Sequence, residues 1–146
     1  IHLIKDKMST DTKCLIMVKA NAYGTGLVRI GQYIEQLGAD YLGVAYTDKG
    51  VALRTNGVKC PILVMNAGVD DFQECIDYHL EPSIYSLNIL DEFIKILISN
   101  EEKGFPIHLK IDTGMKRLGI DSSELEKLYL PQIDDIVKAV KEVNYI

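Results

Sequence analysis

The chain has 146 residues, of which 47% are hydrophobic and 25% are charged, and its formal net charge is −5 at pH 7. This composition is typical of a folded soluble protein with one sizeable core, and it excludes a disordered or acidic-tail protein. The densest apolar runs, residues 14–18 and 62–65, are far too short to cross a bilayer. The acidic balance also argues against nucleic acid as a partner, because phosphate binding needs a concentrated basic face.

The cysteines and histidines show no metal-ligand spacing. Cys14, Cys60 and Cys75 are an odd number of thiols, and they predict reduced cysteines in a cytoplasmic protein. His2 and His79 are isolated in the sequence, so we expect them to be ordinary core or surface residues. The sequence therefore predicts no metal site.

Short apolar runs alternate with longer segments of helical periodicity along the whole chain. Predicted strands cover residues 14–18, 41–45, 61–65, 82–85 and 107–111, and a sixth begins in residues 143–146. Predicted helices cover Leu27 to Leu37 and residues 50–55, 72–76, 87–98 and 122–143. Gly38 ends the first of them, Asp70 or Asp71 is the N-cap of the third, and Ser86 caps the fourth. Pro131 kinks the last. We expect the strands to be buried on both faces.

Five repeats of strand followed by helix predict an α/β protein with a parallel sheet, because parallel strands need crossover helices. This pattern is compatible with an open doubly wound sheet and with a (β/α) barrel. No Gly-x-Gly-x-x-Gly follows the first strand, and no phosphate-binding loop ends in Gly-Lys-Ser or Gly-Lys-Thr. Their absence argues against dinucleotide or nucleoside triphosphate binding.

The first candidate site is the segment VKANAYGTG, residues 18–26. Lys19 directly follows an apolar strand, so we expect its amine to be partly desolvated, which lowers a lysine pKa and favours Schiff-base chemistry. Tyr23 and the two glycines form a loop that could bring a phenol and backbone N–H groups to an anion such as phosphate. The alternative is a solvated surface lysine followed by a tight turn.

The second candidate site is the segment IHLKIDTGMKRLG, residues 107–119. Strand alternation places His108, Lys110 and Asp112 on one face, which should be the barrel interior. A lysine that points inward must be paired, neutralised or modified, because an unpaired buried charge is very costly. Arg117 lies in a glycine-bracketed turn that suits bidentate carboxylate binding. The alternative is an internal Lys110–Asp112 ion pair with Arg117 on the surface.

Both segments, in this order and spacing, closely resemble the two signatures of the alanine racemases, and residues 41–45, 50–54 and 61–65 resemble the intervening parts of that family. Its members are pyridoxal-phosphate enzymes with an N-terminal (β/α) barrel and a C-terminal β domain. The resemblance covers nearly the whole chain. It implies a partial (β/α)8 TIM-type barrel with about five βα units. Residues 1–146 would be the N-terminal part of the cofactor-binding barrel domain, and the C-terminal β domain would be absent.

The resemblance also assigns roles to individual residues. It implies that Lys19 forms the internal aldimine with pyridoxal 5′-phosphate and serves as one catalytic base, while Tyr23 contacts the cofactor phosphate. Arg117, the second catalytic residue, would lie near the substrate carboxylate and the opposing base. Lys110 would be carbamylated and hold Arg117 in place. Such a modification would turn an inward cation into an anion that can pair with arginine.

The activity implied is the interconversion of L-alanine and D-alanine for peptidoglycan synthesis, in a cytoplasmic enzyme that is a homodimer at full length. The family's second base is a tyrosine of the C-terminal domain, donated across the dimer interface. We therefore expect this chain to be inactive alone. The alternatives are a non-catalytic cofactor-binding or structural fragment and a barrel enzyme, racemase or decarboxylase, for another amino acid.

Two residues depart from the family pattern. Thr25 stands where many members have histidine, and Lys49 stands where an acidic residue is usual. Neither position touches the core chemistry of the family, so we expect a subfamily rather than a different function.

Overall fold

The computed structural model describes residues 1–121, residues 123–124 and the backbone of one further strand. The strands are β1 (Leu15–Met17), β2 (Tyr41–Val44), β3 (Ile62–Val64), β4 (Glu81–Ile84), β5 (Ile107–Leu109) and β6 (Val143–Tyr145). The helices are α1 (His2–Lys5), α2 (Lys19–Tyr23), α3 (Leu27–Gln36), α4 (Thr47–Thr55), α5 (Phe72–Asp77) and α6 (Leu87–Ser99), with a 3₁₀ turn at Val69–Asp71.

All strand pairs are parallel, and each strand lies beside the next one in the chain, in the order β1-β2-β3-β4-β5-β6. The predicted parallel α/β architecture is confirmed. A doubly wound sheet reverses its strand order at a switch point, whereas a barrel adds strands in sequence. The described strands contain no such reversal, so the topology favours the barrel.

A contact across the sheet shows that it is strongly curved. The rings of Tyr41 on β2 and His108 on β5 meet edge to face, with centroids 5.9 Å apart. In a flat sheet, strands three positions apart would be separated by about 14 Å. The sheet therefore curls into an arc whose concave side is the interior of a partial barrel, as the family resemblance implied.

The two faces of the sheet differ in chemistry. Side chains on the convex face are apolar and pack against the helices, and they include Leu42, Val44, Ile62, Val64, Ile84, Ile107 and Leu109. Partner positions in the register place another set on the concave face, where Leu63, Glu81, Ser83 and His108 are all buried. The core thus lies between sheet and helices, and the barrel interior is partly polar.

The prediction of strands buried on both faces is confirmed for β2 to β5 and is wrong for β1. The side chain of Leu15 on β1 is 37% exposed. Among the described strands, β1 pairs only with β2 and forms the edge of the sheet. Its concave-facing side chains consequently lack neighbours on one side.

Most predicted elements are present with shifted ends. Helix α4 begins at Thr47 rather than residue 50, and β5 ends at Leu109 rather than residue 111. Ser86 caps α6 as predicted, since its Oγ accepts a hydrogen bond from the N–H of Ile89 at 3.3 Å. The sixth strand is confirmed as β6, whereas almost all of the predicted helix of residues 122–143 lies outside the described residues.

Asp71 immediately precedes α5, as predicted for one of the two candidate N-caps, but its side chain makes no capping bond to that helix. Its Oδ2 accepts instead from the N–H of Gly68 at 3.0 Å. The short 3₁₀ turn before α5 accounts for the difference, because Asp71 is also the last residue of that turn. Among the helices that the structure describes, none is long and apolar enough to span a membrane.

Candidate active site

Lys19 stands at the carboxyl end of β1, the edge at which parallel α/β barrels carry their functional residues. The preceding residue, Val18, is buried and donates its N–H to the carbonyl of Gly43 at 2.8 Å, which extends the pairing of β1 with β2. The Lys19 side chain is exposed. The partial desolvation predicted for its amine is therefore not found in this chain, because nothing on the described concave side covers it.

The residues after Lys19 adopt a left-handed helical conformation. Ala20, Asn21, Ala22 and Tyr23 have φ angles of 51°, 55°, 52° and 55°, and we call residues 20–23 the left-handed turn. For residues with a Cβ this conformation costs roughly 1–2 kcal/mol each, and runs of it are rare. Backbone strain of this kind persists only where the surroundings impose it, and it concentrates at functional sites.

Hydrogen bonds to Asn21 hold the left-handed turn. Its carbonyl accepts the N–H groups of Gly24 and Gly26 at 3.1 and 3.0 Å, and its side-chain Oδ1 accepts the N–H of Leu27 at 2.8 Å. Leu27 is the first residue of α3, so the Asn21 amide occupies the place of an N-cap. Gly24 and Gly26 continue the turn at φ of 87° and 101°, a region that suits glycine.

Thr25, the residue that departs from the family pattern, belongs to the same hydrogen-bonded structure. Its hydroxyl donates to the carbonyl of Ala22, inside the left-handed turn. The other departure, Lys49, lies on α4 and forms an exposed ion pair with Asp48 at 2.8 Å. Thr25 thus supports the turn that follows Lys19, whereas the contact of Lys49 is with its own neighbour in the chain.

The second candidate segment follows β5 at the same edge of the sheet. The N–H of Lys110 binds the carbonyl of Ile84 at 2.8 Å, which continues the pairing with β4 by one residue. A bridge between Ile111 and Ile120 then closes residues 112–119, which we call the Arg117 loop. Two backbone bonds secure this closure, Asp112 N–H to Ile120 O at 3.0 Å and Ile120 N–H to Lys110 O at 2.8 Å.

Asp112 does not point into the barrel, contrary to the prediction from strand alternation. Strand β5 ends at Leu109, so strand alternation no longer fixes the direction of the Asp112 side chain. The Asp112 carboxylate accepts the N–H groups of Gly114 at 2.8 Å and Lys116 at 3.0 Å. These backbone donors hold the pKa of Asp112 below its ordinary value. The alternative of a Lys110–Asp112 ion pair is therefore wrong.

Arg117 and Lys110 differ in burial. Arg117 is exposed in the loop, whereas Lys110 is half-buried. Neither takes part in an ion pair among the described residues, where the pairs are Lys5–Asp40, Lys49–Asp48, Lys95–Glu92 and His108–Glu81. Lys110 and Arg117 thus lie in one segment, and neither forms an ion pair with the other.

His108 lies inside the barrel as predicted, and its partner is a residue that sequence reasoning missed. Its Nε2 lies 2.6 Å from Oε2 of Glu81, and the two side chains are 6% and 9% exposed. Beside them the Ser83 hydroxyl is fully buried and has no hydrogen-bond partner among the described residues. Had the predicted strand begun at residue 81, alternation would have placed Glu81 and Ser83 on the same face and so identified both as interior residues.

Two of the three thiols are poor nucleophiles. Cys14, Cys60 and Cys75 are free, as predicted. Burial raises the pKa of Cys60 to about 11 and that of Cys75 to about 12, so both stay protonated at neutral pH. In the part of the chain that the structure describes, no group of three or more histidine, cysteine and acidic side chains could hold a metal ion.

A cavity of about 340 Å³ lies at the opposite, amino-terminal edge of the sheet. Its walls include Glu81 and Arg54, and the Arg54 guanidinium donates to four backbone carbonyls, those of Val58, Cys60, Tyr78 and His79, at 2.7 to 3.0 Å. Arg54 thus stitches together the segments that precede β3 and β4. This cavity is far from the chemistry of Lys19, because the two lie at opposite ends of the strands.

The carboxyl edge of the sheet therefore carries an amine, a phenol and a guanidinium, on Lys19, Tyr23 and Arg117. All three side chains are exposed, and the first two belong to the same short turn. An accessible primary amine can form a covalent link to an aldehyde, and an exposed phenol can donate a hydrogen bond to an anionic group. The residues present fit an aldehyde cofactor that carries a phosphate.

The comparisons with known proteins agree with this chemistry. A family model described as "Alanine racemase, N-terminal domain" matches residues 1–136. The chain belongs to this family. An alanine racemase of Staphylococcus carnosus is 36% identical over 124 residues, which is 84% of this chain and 32% of that protein. The chain thus spans about a third of the length of the curated alanine racemases that it matches.

Solved alanine racemases share the fold of this family member. A structure from Clostridium difficile superposes with a TM-score of 0.83 at 30% identity, over 99% of this chain and 37% of the other. An alanine racemase of Bartonella henselae, described with covalently bound pyridoxal phosphate, gives a TM-score of 0.80 at 27% identity over 93% of this chain and 40% of the other. The barrel architecture is thereby confirmed.

Proposed function

We propose that residues 1–146 are the N-terminal part of the cofactor-binding barrel of a pyridoxal-phosphate-dependent alanine racemase, which interconverts L-alanine and D-alanine. The observation that carries the proposal is the exposed amine of Lys19 at the carboxyl end of β1, followed four residues later by the exposed phenol of Tyr23. The covalently bound cofactor of the B. henselae neighbour supports it.

Lys19 holds the cofactor through its Nζ and exchanges the Cα proton of the substrate on one face. When bound, pyridoxal phosphate draws electrons away from the Cα of the amino acid, which makes its proton more acidic. The Tyr23 hydroxyl would donate a hydrogen bond to the cofactor phosphate. Lys19 and Tyr23 are both exposed, and the left-handed turn fills the stretch of chain from one to the other.

Arg117 acts on the substrate side of the site, where its guanidinium lies near the amino acid carboxylate. Lys110 is carbamylated: its neutral amine and carbon dioxide give a carbamate and one released proton. The carbamate then pairs with Arg117. The half-buried position of Lys110 and its lack of an ion pair among the described residues support this assignment, because an unpaired inward cation is unfavourable.

The whole enzyme acts on free alanine in the cytoplasm as a homodimer, and its D-alanine enters peptidoglycan synthesis. The isolated chain spans about a third of the length of its relatives, so we expect it to show no alanine racemisation in a coupled assay. It then serves only as a cofactor-binding or structural part of the enzyme. Measurable turnover by the purified chain would contradict this expectation.

Covalent capture of the cofactor tests the proposal directly. The chain is incubated with pyridoxal 5′-phosphate, reduced with borohydride, digested and examined by mass spectrometry. We expect a pyridoxyl adduct on Lys19, and Lys19→Ala should remove it. In a complete protein that contains this chain, Lys19→Ala should also lower kcat by at least about a thousandfold, since the covalent link and one base are lost together.

Lys13→Ala is the matched control, because Lys13 is an exposed lysine at the other end of the same strand. It should leave both the adduct and kcat unchanged. Equal labelling of Lys13 and Lys19 would show non-selective amine modification and would contradict the proposal.

A further inference from the structure

We propose that Asn21 is a positioning residue, whose side-chain amide fixes the left-handed turn to helix α3 and thereby sets the place of Lys19 and Tyr23. This inference rests on the proposed function, because it assigns a role in capturing the cofactor at Lys19. It assigns Asn21 a role through the backbone and not through a contact with the cofactor or the substrate.

Lys19 is held from both sides by the backbone. On one side, Val18 is buried and bonded to Gly43 of β2. On the other side, Asn21 accepts three hydrogen bonds. Its carbonyl accepts from the N–H groups of Gly24 and Gly26, and its Oδ1 accepts from the N–H of Leu27. The position of Lys19 is therefore fixed by the sheet before it and by Asn21 after it.

Asparagine suits this position for two independent reasons. It tolerates the left-handed conformation better than most residues that have a Cβ, and Asn21 has φ of 55° and ψ of 45°. Its side chain also supplies the acceptor that the first N–H of α3 requires, since a helix N-terminus leaves its first N–H groups without backbone partners. The Gly26 position itself has no side chain with which to cap the helix.

The side-chain bond spans six residues, from Asn21 to Leu27, and Leu27 is anchored in the core with 7% exposure. The N–H groups of Gly24, Thr25 and Gly26 bind carbonyls within the turn, whereas the side-chain bond of Asn21 reaches the first residue of α3. Two of those residues are glycines in open space, with nothing within 4 Å of a built Cβ. Removing the acceptor therefore detaches from α3 the turn that directly follows Lys19 and ends at Tyr23.

Three substitutions at Asn21 separate its two properties. Asn21→Asp keeps an acceptor oxygen, Asn21→Gly keeps the left-handed conformation without an acceptor, and Asn21→Ala loses both. Each variant is made in a complete protein that contains this chain, stripped of cofactor and reloaded with pyridoxal 5′-phosphate. The readouts are the rate of covalent capture at Lys19 by borohydride trapping and the melting temperature.

We expect Asn21→Gly and Asn21→Ala to slow capture by about tenfold and Asn21→Asp to stay within about twofold of the parent protein. Ser86→Ala is the matched control, because it removes a comparable N-cap from α6 after β4. It should lower the melting temperature without slowing capture, which separates a positioning role from general stability.

The outcomes are distinguishable. Slow capture by Asn21→Gly together with normal capture by Asn21→Asp supports the inference. Normal capture by Asn21→Gly overturns it, because the conformation alone would then suffice, and an equal slowing by Ser86→Ala overturns it as a stability effect. Absence of an adduct at Lys19 in the unmodified protein refutes the proposed function itself, not merely the role of Asn21.

Discussion

The left-handed turn and the Arg117 loop lie at the same edge of the sheet and are held by the same kind of hydrogen bond. In each, a single polar side chain accepts backbone N–H groups of residues that follow it in the chain, Asn21 from Leu27 and Asp112 from Gly114 and Lys116. They differ in charge, in where the strain lies and in what lies beneath them. The comparison shows that two loops at one edge of a sheet can be held by the same kind of hydrogen bond although the strands below them differ.

The supports differ most. Beneath the Arg117 loop, β5 is buried and carries His108, whose partner is Glu81 of β4. Beneath the left-handed turn, β1 is the edge strand, and its concave-facing Leu15 is 37% exposed. The Arg117 loop therefore depends on the buried polar pair of β5 and β4, whereas the left-handed turn depends on its own hydrogen bonds.

The largest expected effect comes from breaking the support of β5. His108→Ala leaves the Glu81 carboxyl buried without its hydrogen-bond partner, so we expect the free energy of unfolding to fall by about 3 kcal/mol. Leu15→Ala, on the concave side of β1, should cost only about 1 kcal/mol because that side chain is already partly exposed. Urea unfolding of the purified chain measures both, and equal losses would mean that the two supports do not differ.

A smaller effect separates the glycines of the two segments. Gly119 has φ of 153°, and a Cβ there would lie 2.5 Å from the backbone nitrogen of Asp112. Gly119→Ala should therefore cost about 2 kcal/mol through strain and the forced opening of the Ile111–Ile120 bridge. Gly24→Ala, at φ of 87° in open space, should cost about 1 kcal/mol from conformation alone.

The two glycine variants can be compared by thermal unfolding and by the amide signals of residues 111 and 120. Gly119→Ala should shift these signals, whereas Gly24→Ala should not. If Gly24→Ala proved the more damaging, the close approach at Gly119 would not be what holds the Arg117 loop.

The sequence could predict the parallel sheet and both candidate segments, because apolar runs and glycine-rich motifs are local signals. It could not predict the left-handed turn, since alanine and tyrosine disfavour that conformation and only Gly24 and Gly26 hint at positive φ. Nor could it pair His108 with Glu81, because that contact depends on the register between β4 and β5, in which Ser83 faces His108. Alternation misplaced Asp112 for a related reason: the strand ends at Leu109, two residues earlier than its pattern does.

The smallest expected effect is local and distinguishes the charged acceptor, the Asp112 carboxylate, from the neutral one, the Asn21 amide. The backbone N–H groups of Lys116 and Gly114 lower the pKa of Asp112, so its carboxylate stabilises the folded loop at every pH above the ordinary aspartate pKa of about 3.9. As pH falls through the lowered folded-state pKa, the carboxyl takes up a proton and this contribution is lost. The Asn21 amide does not titrate, so the left-handed turn should be insensitive over the same range.

Amide chemical shifts measured between pH 6 and about pH 2 test this difference. The signals of Gly114 and Lys116 should move together below about pH 4, and Asp112→Asn should abolish that movement while keeping an acceptor oxygen. The Leu27 amide, bound to Asn21, is the internal control and should not follow the same titration. A shared titration of Leu27 and Gly114 would instead reveal global acid unfolding, and the two segments would then not be independent devices.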